Sequence, residues 1–273
     1  MPKSNLANRF LAAVIALPLM MLLIFKGPPW GWFALVVAAA GVGSLELYGM
    51  THPADRVSRV LCSILTLGVM AVLWFFGASA RVLLTLLLVL PIASALLVLI
   101  RLGEIQTAAL RVAAGVFGPL YLGCGLGAAT LLRRDAGDDG PGFVLLALML
   151  SWLSDTGAYF MGRFLGKHKL YEAVSPKKTV EGAIGGLLGA VVGGLLAHFW
   201  YLKSLPLEHA LGLAIVAGAL GQAGDLGESL LKRSFGVKDS GGIIPGHGGI
   251  LDRVDALLVT SSILYLYVLW MRF

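Results

Sequence analysis

Long apolar runs, broken at short intervals by glycine, proline and small charged clusters, set the pattern of this chain. Nine of them predict helices, at roughly 10–25, 30–50, 59–79, 82–100, 109–132, 142–162, 180–202, 208–231 and 253–271. Each approaches or exceeds the roughly 18 residues that a membrane-crossing helix needs. Trp30, Trp32, Trp74, Trp152, Trp200 and Trp270 fall mostly near the ends of these runs, where an aromatic belt at the lipid–water interface would place them. The first run has no small-x-small cleavage pattern after it and continues into Phe25-Lys26-Gly27-Pro28-Pro29, so it is expected to be a retained span and not a signal peptide. No internal repeat, low-complexity run or long linker divides the chain. The pattern predicts an all-α polytopic membrane protein of about nine transmembrane helices, forming a single domain over residues 1–273, with its chemistry in two regions, 151–182 and 221–256.

Composition agrees: 58% of the 273 residues are apolar and only 13% charged, against about 25% charged in soluble domains. The net charge of +6 then reads as topology. No basic helix or interleaving of aromatic and basic residues supports a nucleic-acid partner. With the N-terminus inside, fifteen of the 21 lysines and arginines fall on the inner side and six on the outer. The excess predicts a cytoplasmic N-terminus and puts both polar regions on the cytoplasmic side. The loop 133–141, RRDAGDDGP, fits least well, since its two arginines face out. Cys62 and Cys124 both lie within predicted spans and give neither a disulfide framework nor a zinc site.

Against this apolar background the stretch Asp225–Asp255 stands out. It carries Asp225, Glu228, Asp239, Asp252 and Asp255 beside Lys232, Arg233, Lys238, His247 and Arg253, loosened by glycines including Gly241, Gly242, Gly248 and Gly249. Charges at such depth are costly and mark a functional site by default. Asp225, Glu228, Ser229 and Lys232 share one helix face at i, i+3, i+4 and i+7, and Asp252 and Asp255 project together at the start of the last span. Oxygen-only ligands near cations point to Mg²⁺ or Mn²⁺ with phosphates and away from zinc. Asp225 and Asp252 are expected to hold the metal jointly, with Asp255 as a third ligand or as an orienting group. Lys238, His247 and Arg253 are candidate anion binders, and the Gly-Gly pairs let backbone N–H groups approach an anion. Gly162-x-x-x-Gly166-Lys167 is one residue short of a P-loop and lacks its Ser/Thr.

Upstream, Asp155 ends the sixth span, and Ser175-Pro176-Lys177-Lys178-Thr179 precedes the seventh. Two lysines at a helix start are opposed by the helix dipole, so they call for an anion, either a triphosphate or the membrane surface. In the seventh span, Gly185, Gly189 and Gly193 form a G-x-x-x-G ladder suited to close helix packing. Glu46, near the inner end of the second span, either serves the site or caps a neighbour.

The run Ser229 to Arg233 (S-x-x-K-R), Lys238-Asp239, and Pro245 to Asp255 (P-G-H-G-G-x-x-D-R-x-D) resembles the signature of phosphatidate cytidylyltransferases (CDP-diacylglycerol synthases). Ser154–Gly162 and Ser175–Gly182 are similar to the same family, and the blocks together cover about a quarter of the chain. The resemblance implies a metal-dependent nucleotidyltransferase of phospholipid synthesis. It would join CTP and phosphatidate into CDP-diacylglycerol and pyrophosphate at the cytoplasmic face of a bacterial inner membrane. Asp225, Lys232, Arg233 and Asp252 would carry the chemistry. Asp155, Lys177, Lys178, Thr179, Ser229, Lys238, His247 and Arg253 would bind substrates. Asp225, Asp252 and Asp255 would hold Mg²⁺ or Mn²⁺, with a second cation and a homodimer left open. The alternatives are a CTP-dependent lipid-alcohol kinase and, in a different class, a membrane transporter.

Overall fold

The structure, a computed structural model, describes residues 17–242 and 248–271. Among the described residues eight helices are long and apolar enough to cross a membrane. This is an all-α polytopic membrane protein. Helix α1 (Leu17–Lys26) is the described part of the first predicted span, whose earlier residues lie outside the described range. It is followed by α2 (Pro29–Thr51), α3 (Arg56–Phe76) and α4 (Ala80–Ile100). The predicted fifth span is composite: α5 (Ala108–Gly118), a π-helical turn Pro119–Cys124, and α6 (Gly125–Asp135). Then come α7 (Gly140–Leu165), a hairpin of β1 (Lys169–Tyr171) and β2 (Ser175–Thr179), α8 (Val180–Leu196), α9 (Leu207–Ser234) and α10 (Leu251–Met271).

The break in the fifth span has a local cause. Pro119 has no N–H to donate to the preceding turn, and the chain around it must pass very close to its neighbours. A Cβ on Gly118 would run into the Tyr48 hydroxyl, and one on Gly123 would come within 2.9 Å of the Thr66 carbonyl. Widening the helix by one residue accommodates both constraints, and such π turns often fall at functional places. The Tyr48 hydroxyl is itself anchored by Thr66 Oγ1 at 2.9 Å.

The glycine ladder packs α8 against α7, as its spacing predicts. Added Cβ atoms on Gly185 and Gly189 would strike the carbonyls of Gly157 and Leu153. Backbones this close are typical of small-residue membrane interfaces. Elsewhere the interior is apolar, with Phe143, Leu146, Leu150, Leu122 and Leu132 fully buried. Some of its polar groups pair inside the bundle: Trp32 donates to the Ala129 carbonyl at 2.9 Å, and Ser151 meets Thr260 at 3.2 Å.

The last turn of α6 holds its arginines for a structural purpose. Arg133 donates to the carbonyls of Ile24 (2.8 Å) and Gly27 (2.9 Å). Arg134 donates to the Trp74 carbonyl, lies over the Trp74 ring at 4.9 Å and pairs with Asp135 at 2.6 Å. These two side chains thus satisfy the free carbonyls at the ends of α1 and α3, which accounts for a basic pair where charge bias does not favour one. At the other end of the bundle, Asp55 caps α3 through Val57 and Ser58 and pairs with Arg101 at 2.9 Å. That guanidinium, helped by Ser58, holds the Asp55 carboxyl well below the usual carboxylate range.

Candidate active site

The polar residues singled out in the sequence gather at one end of the bundle, where α7 ends, α9 ends and α10 begins. The β1–β2 hairpin folds there over the helix ends. Its strands pair antiparallel, with Lys169 opposite Thr179 and Tyr171 opposite Ser175. Thr179 caps α8 by accepting from the Gly182 N–H at 3.1 Å. Glu181 accepts from the backbone N–H groups of Lys167 (3.0 Å) and His168 (3.2 Å) and meets the His168 ring at 2.6 Å. Lys177 and Lys178 therefore stand on a strand just before the α8 N-cap and not within the helix start. Pro176, with no N–H, and the Thr179 cap both favour an extended run up to the helix.

Under the hairpin lies a cavity of about 350 Å³ lined by Asp155, Tyr159 and Arg163 of α7, Lys177, Lys178 and Thr179 of β2, and Gln222 and Asp225 of α9. Lys178 Nζ meets Asp225 at 2.6 Å. Asp155, Lys177, Lys178, Thr179 and Asp225 are thus brought together. Tyr159, Arg163 and Gln222 join them without having been singled out from sequence. Gln222 lies three residues before Asp225, so helical spacing alone would have found it.

On the far side of Asp225 three carboxylates converge. Asp225 and Glu228 of α9 and Asp255 of α10 each offer an oxygen, all within 4.8 Å of one another. Glu228 is only 2% exposed, and neither of its oxygens has a hydrogen-bond partner; its neighbour of opposite charge is Lys232 at 3.2 Å. Buried carboxylates gathered this closely are costly, and three hard oxygen donors fit a divalent cation such as Mg²⁺. The residues present therefore fit the cation that the sequence predicts, with Glu228 in the set.

Asp252 departs from expectation. It is not part of this cluster and does not line the cavity under the hairpin. One oxygen accepts from Lys232 Nζ at 2.5 Å, and the other from Ser240 N (3.0 Å), Ser240 Oγ (2.9 Å) and Gly249 N (2.8 Å). The reason is its place in the first turn of α10, where the loop from α9 folds back and presents free N–H groups. Lys232 lies between the two acidic groups, bridging Glu228 and Asp252.

Glu46 caps α10 from another helix. It accepts from Ile250 N (3.1 Å), Leu251 N (2.9 Å) and Ser240 Oγ (3.3 Å), and Gly241 and Gly249 leave it room, since a Cβ on either would overlap its carboxylate. Glu46→Gln turns an amide N–H₂ toward these donors. It is expected to lower the stability of the detergent-solubilised protein by about 1–3 kcal/mol, read as a lower unfolding midpoint. An unchanged midpoint would show that the cap does not hold the loop.

The remaining candidates are dispersed. Arg233 donates to the carbonyls of Val174 (3.4 Å) and Val237 (2.9 Å), tying the hairpin turn to the loop after α9. Ser229 is half-buried on α9, Lys238 is exposed in the loop, Arg253 is exposed on the first turn of α10, and His247 lies outside the described residues.

Comparison with known proteins adds a separate finding. The pattern of the cytidylyltransferase family matches residues 7–271. A phosphatidate cytidylyltransferase of Staphylococcus haemolyticus (strain JCSC1435) is 46% identical over 133 residues, covering 49% of this chain and 51% of that protein. Proteins of the same name from Staphylococcus saprophyticus and Staphylococcus aureus (strain COL) are 43% and 42% identical over 144 residues, covering 53% of this chain and 54% of theirs. The chain spans about half the length of the curated relatives it matches.

Proposed function

We propose that this chain, which belongs to the cytidylyltransferase family, transfers a cytidylyl group from CTP to phosphatidate, giving CDP-diacylglycerol and pyrophosphate. The observation that carries the reading is the cavity in which Lys177, Lys178 and Asp155 face Asp225, next to the buried cluster of Asp225, Glu228 and Asp255. A place for a polyanion thus adjoins a place for a cation. A phosphate oxygen of phosphatidate forms a new bond to the α-phosphorus of CTP, and the bond from that phosphorus to the bridging oxygen of the β-phosphate breaks. The electron pair leaves with pyrophosphate. The attacking phosphate is already anionic, so no general base is required.

In this reading Lys177 and Lys178 hold the triphosphate from the strand, and the hairpin closes over it. Asp225, Glu228 and Asp255 would hold Mg²⁺ or Mn²⁺, which when bound would supply charge stabilisation at the phosphates. Lys232 balances the charge of Glu228 and Asp252, and Arg233 keeps the hairpin seated on α9. Ser229, Lys238 and Arg253 stand around the loop as contacts for the lipid phosphate. The bias of lysine and arginine supports a cytoplasmic N-terminus and a cytoplasmic site, where CTP is available, in the inner membrane of a bacterium. A single transmembrane domain over 1–273 fits this arrangement.

The test is incubation of the purified protein with phosphatidate, Mg²⁺ and each of the four nucleoside triphosphates, identifying both products. CDP-diacylglycerol with equimolar pyrophosphate, formed from CTP, is the expected result. Release of CDP would point instead to a lipid-alcohol kinase, and no nucleotide turnover would overturn the reading. Within it, replacing both Lys177 and Lys178 by Ala is expected to raise the KM for CTP roughly 10- to 100-fold, since each charged hydrogen bond contributes about 1.5–3 kcal/mol. The KM for phosphatidate should change much less. Equal changes in both constants would remove these lysines from the nucleotide site.

A further inference from the structure

The cavity under the hairpin changes character with depth. Helices α7 and α9 both run toward its mouth, so a residue earlier in either helix lies deeper in the bundle. Asp155 precedes Arg163 by roughly two turns, and Gln222 precedes Asp225 by roughly one. Lys177 and Lys178 reach in from the strand at the mouth, and Asp155 and Gln222 lie at the floor. The mouth is therefore cationic, whereas the floor offers oxygens. Gln222 Nε2 donates to the Ala183 carbonyl at 3.2 Å. A carbonyl can only accept, so this contact fixes which way the amide is turned and leaves its oxygen free. The buried Ser154 hydroxyl beside it makes no hydrogen bond and so does not take that oxygen up. Gly186 gives the amide its place, since a Cβ there would come within 2.8 Å of Gln222 Nε2 and 3.0 Å of Ser154 Oγ. The Asp155 carboxylate is a second acceptor at this depth, with no ion-pair partner among the described residues.

A nucleoside triphosphate carries the opposite gradient. Its phosphates only accept hydrogen bonds, and its donors are on the nucleoside: the ribose hydroxyls and, in cytosine, the 4-amino group. It matches the cavity in one direction, with the phosphates at the lysines and the nucleoside at the floor. We infer that the side-chain oxygen of Gln222 accepts a hydrogen bond from the 4-amino group of cytosine and thereby selects CTP over UTP. The inference rests on the cytidylyltransferase reading and adds to it the residue that reads the base. Uracil has an oxygen where cytosine has the amine, so two acceptors would face one another and neither would be paired. The amide cannot turn over to suit uracil without giving up its bond to the Ala183 carbonyl. Adenine also has an exocyclic amine, so Gln222 separates pyrimidines from one another, and purines are left to the width of a cavity of about 350 Å³.

The test sets the side chain against the group it reads. The triphosphate of pyrimidin-2-one riboside has a hydrogen in place of the 4-amino group and is otherwise CTP. With phosphatidate and Mg²⁺, the unaltered protein is expected to show a kcat/KM at least about tenfold lower for this analogue than for CTP, and lower still for UTP. Gln222→Met keeps the length of the side chain and removes the oxygen. It should lower kcat/KM for CTP at least about tenfold, leave the analogue near its wild-type value and bring UTP closer to CTP. A loss confined to the nucleotide that carries the amine is a coupling between side chain and base, which general damage to the cavity would not produce. Equal losses with all three nucleotides, or an unchanged preference for CTP in Gln222→Met, would overturn the inference. If Gln222→Met does not fold, Gln222→Leu takes its place in the same comparison. Equal use of CTP and the analogue by the unaltered protein overturns the inference without any variant. Formation of CDP-diacylglycerol with no selective loss in the variant would sink this inference only. Absence of that product from the unaltered protein would sink the reading it rests on.

Discussion

Asp225→Asn and Glu228→Gln are each expected to lower kcat by on the order of 10³, because losing cation-borne stabilisation of the reacting phosphates costs several kcal/mol. Both variants should insert and fold. The side chains keep their size, and neutralising one of three carboxylates whose oxygens lie within 4.8 Å relieves mutual repulsion when no cation is present. Asp225→Asn also frees Lys178, whose ammonium meets Asp225 at 2.6 Å, so this variant should affect CTP binding as well. Glu228→Gln should act more purely on the cation. The double variant should be little worse than either single one, since groups that act as a unit are far from additive. A readout independent of turnover is the rise in unfolding temperature on adding Mg²⁺ or Mn²⁺, which each substitution should abolish. A Glu228→Gln enzyme that keeps both its metal-induced shift and its kcat would remove Glu228 from the cation site.

Asp252→Asn should behave differently, and the difference separates a metal ligand from a loop anchor. Asp252 and Lys232 are 12% and 11% exposed at their side chains and meet at 2.5 Å. Breaking a buried pair by neutralising one partner costs about 3–5 kcal/mol. Asp252→Asn should therefore lower the unfolding midpoint markedly, while the protein that remains folded keeps its metal-induced shift. Lys232→Met together with Asp252→Asn should regain none of it, because Lys232 also pairs with the buried Glu228 at 3.2 Å, which would then lose its compensating charge. An Asp252→Asn protein with a normal midpoint but no response to metal would restore Asp252 to the cation site.

The contrast between Asp225 and Asp252 shows how far the sequence could be read. Both are acids flanking a glycine-rich loop, and from spacing alone they are equivalent. The shared face of Asp225, Glu228 and Lys232 was legible because helical periodicity fixes it locally. Which acid of α10 completes the cluster was not, because that depends on the rotation of α10 against α9. That rotation is set by the Glu46 cap and by the loop folding onto Asp252, with partners up to 205 positions apart in the chain. The lysines of Ser175–Thr179 were legible as a pair standing before a helix but not as part of a strand, since the hairpin is held by Glu181 and the Thr179 cap.

The sequence by itself determined the membrane class, eight of the spans to within a few residues, the close α7–α8 packing and which polar regions interrupt the apolar pattern. These follow from hydropathy and periodicity, which act over one or two turns of helix. Only the tertiary structure decided that Glu228 and not Asp252 joins Asp225 and Asp255, that Glu46 caps α10, and that Arg133 and Arg134 cap other helices. Each of these depends on how helices far apart in the chain are rotated and spaced against one another, which is fixed by packing and buried hydrogen bonds that no local pattern records.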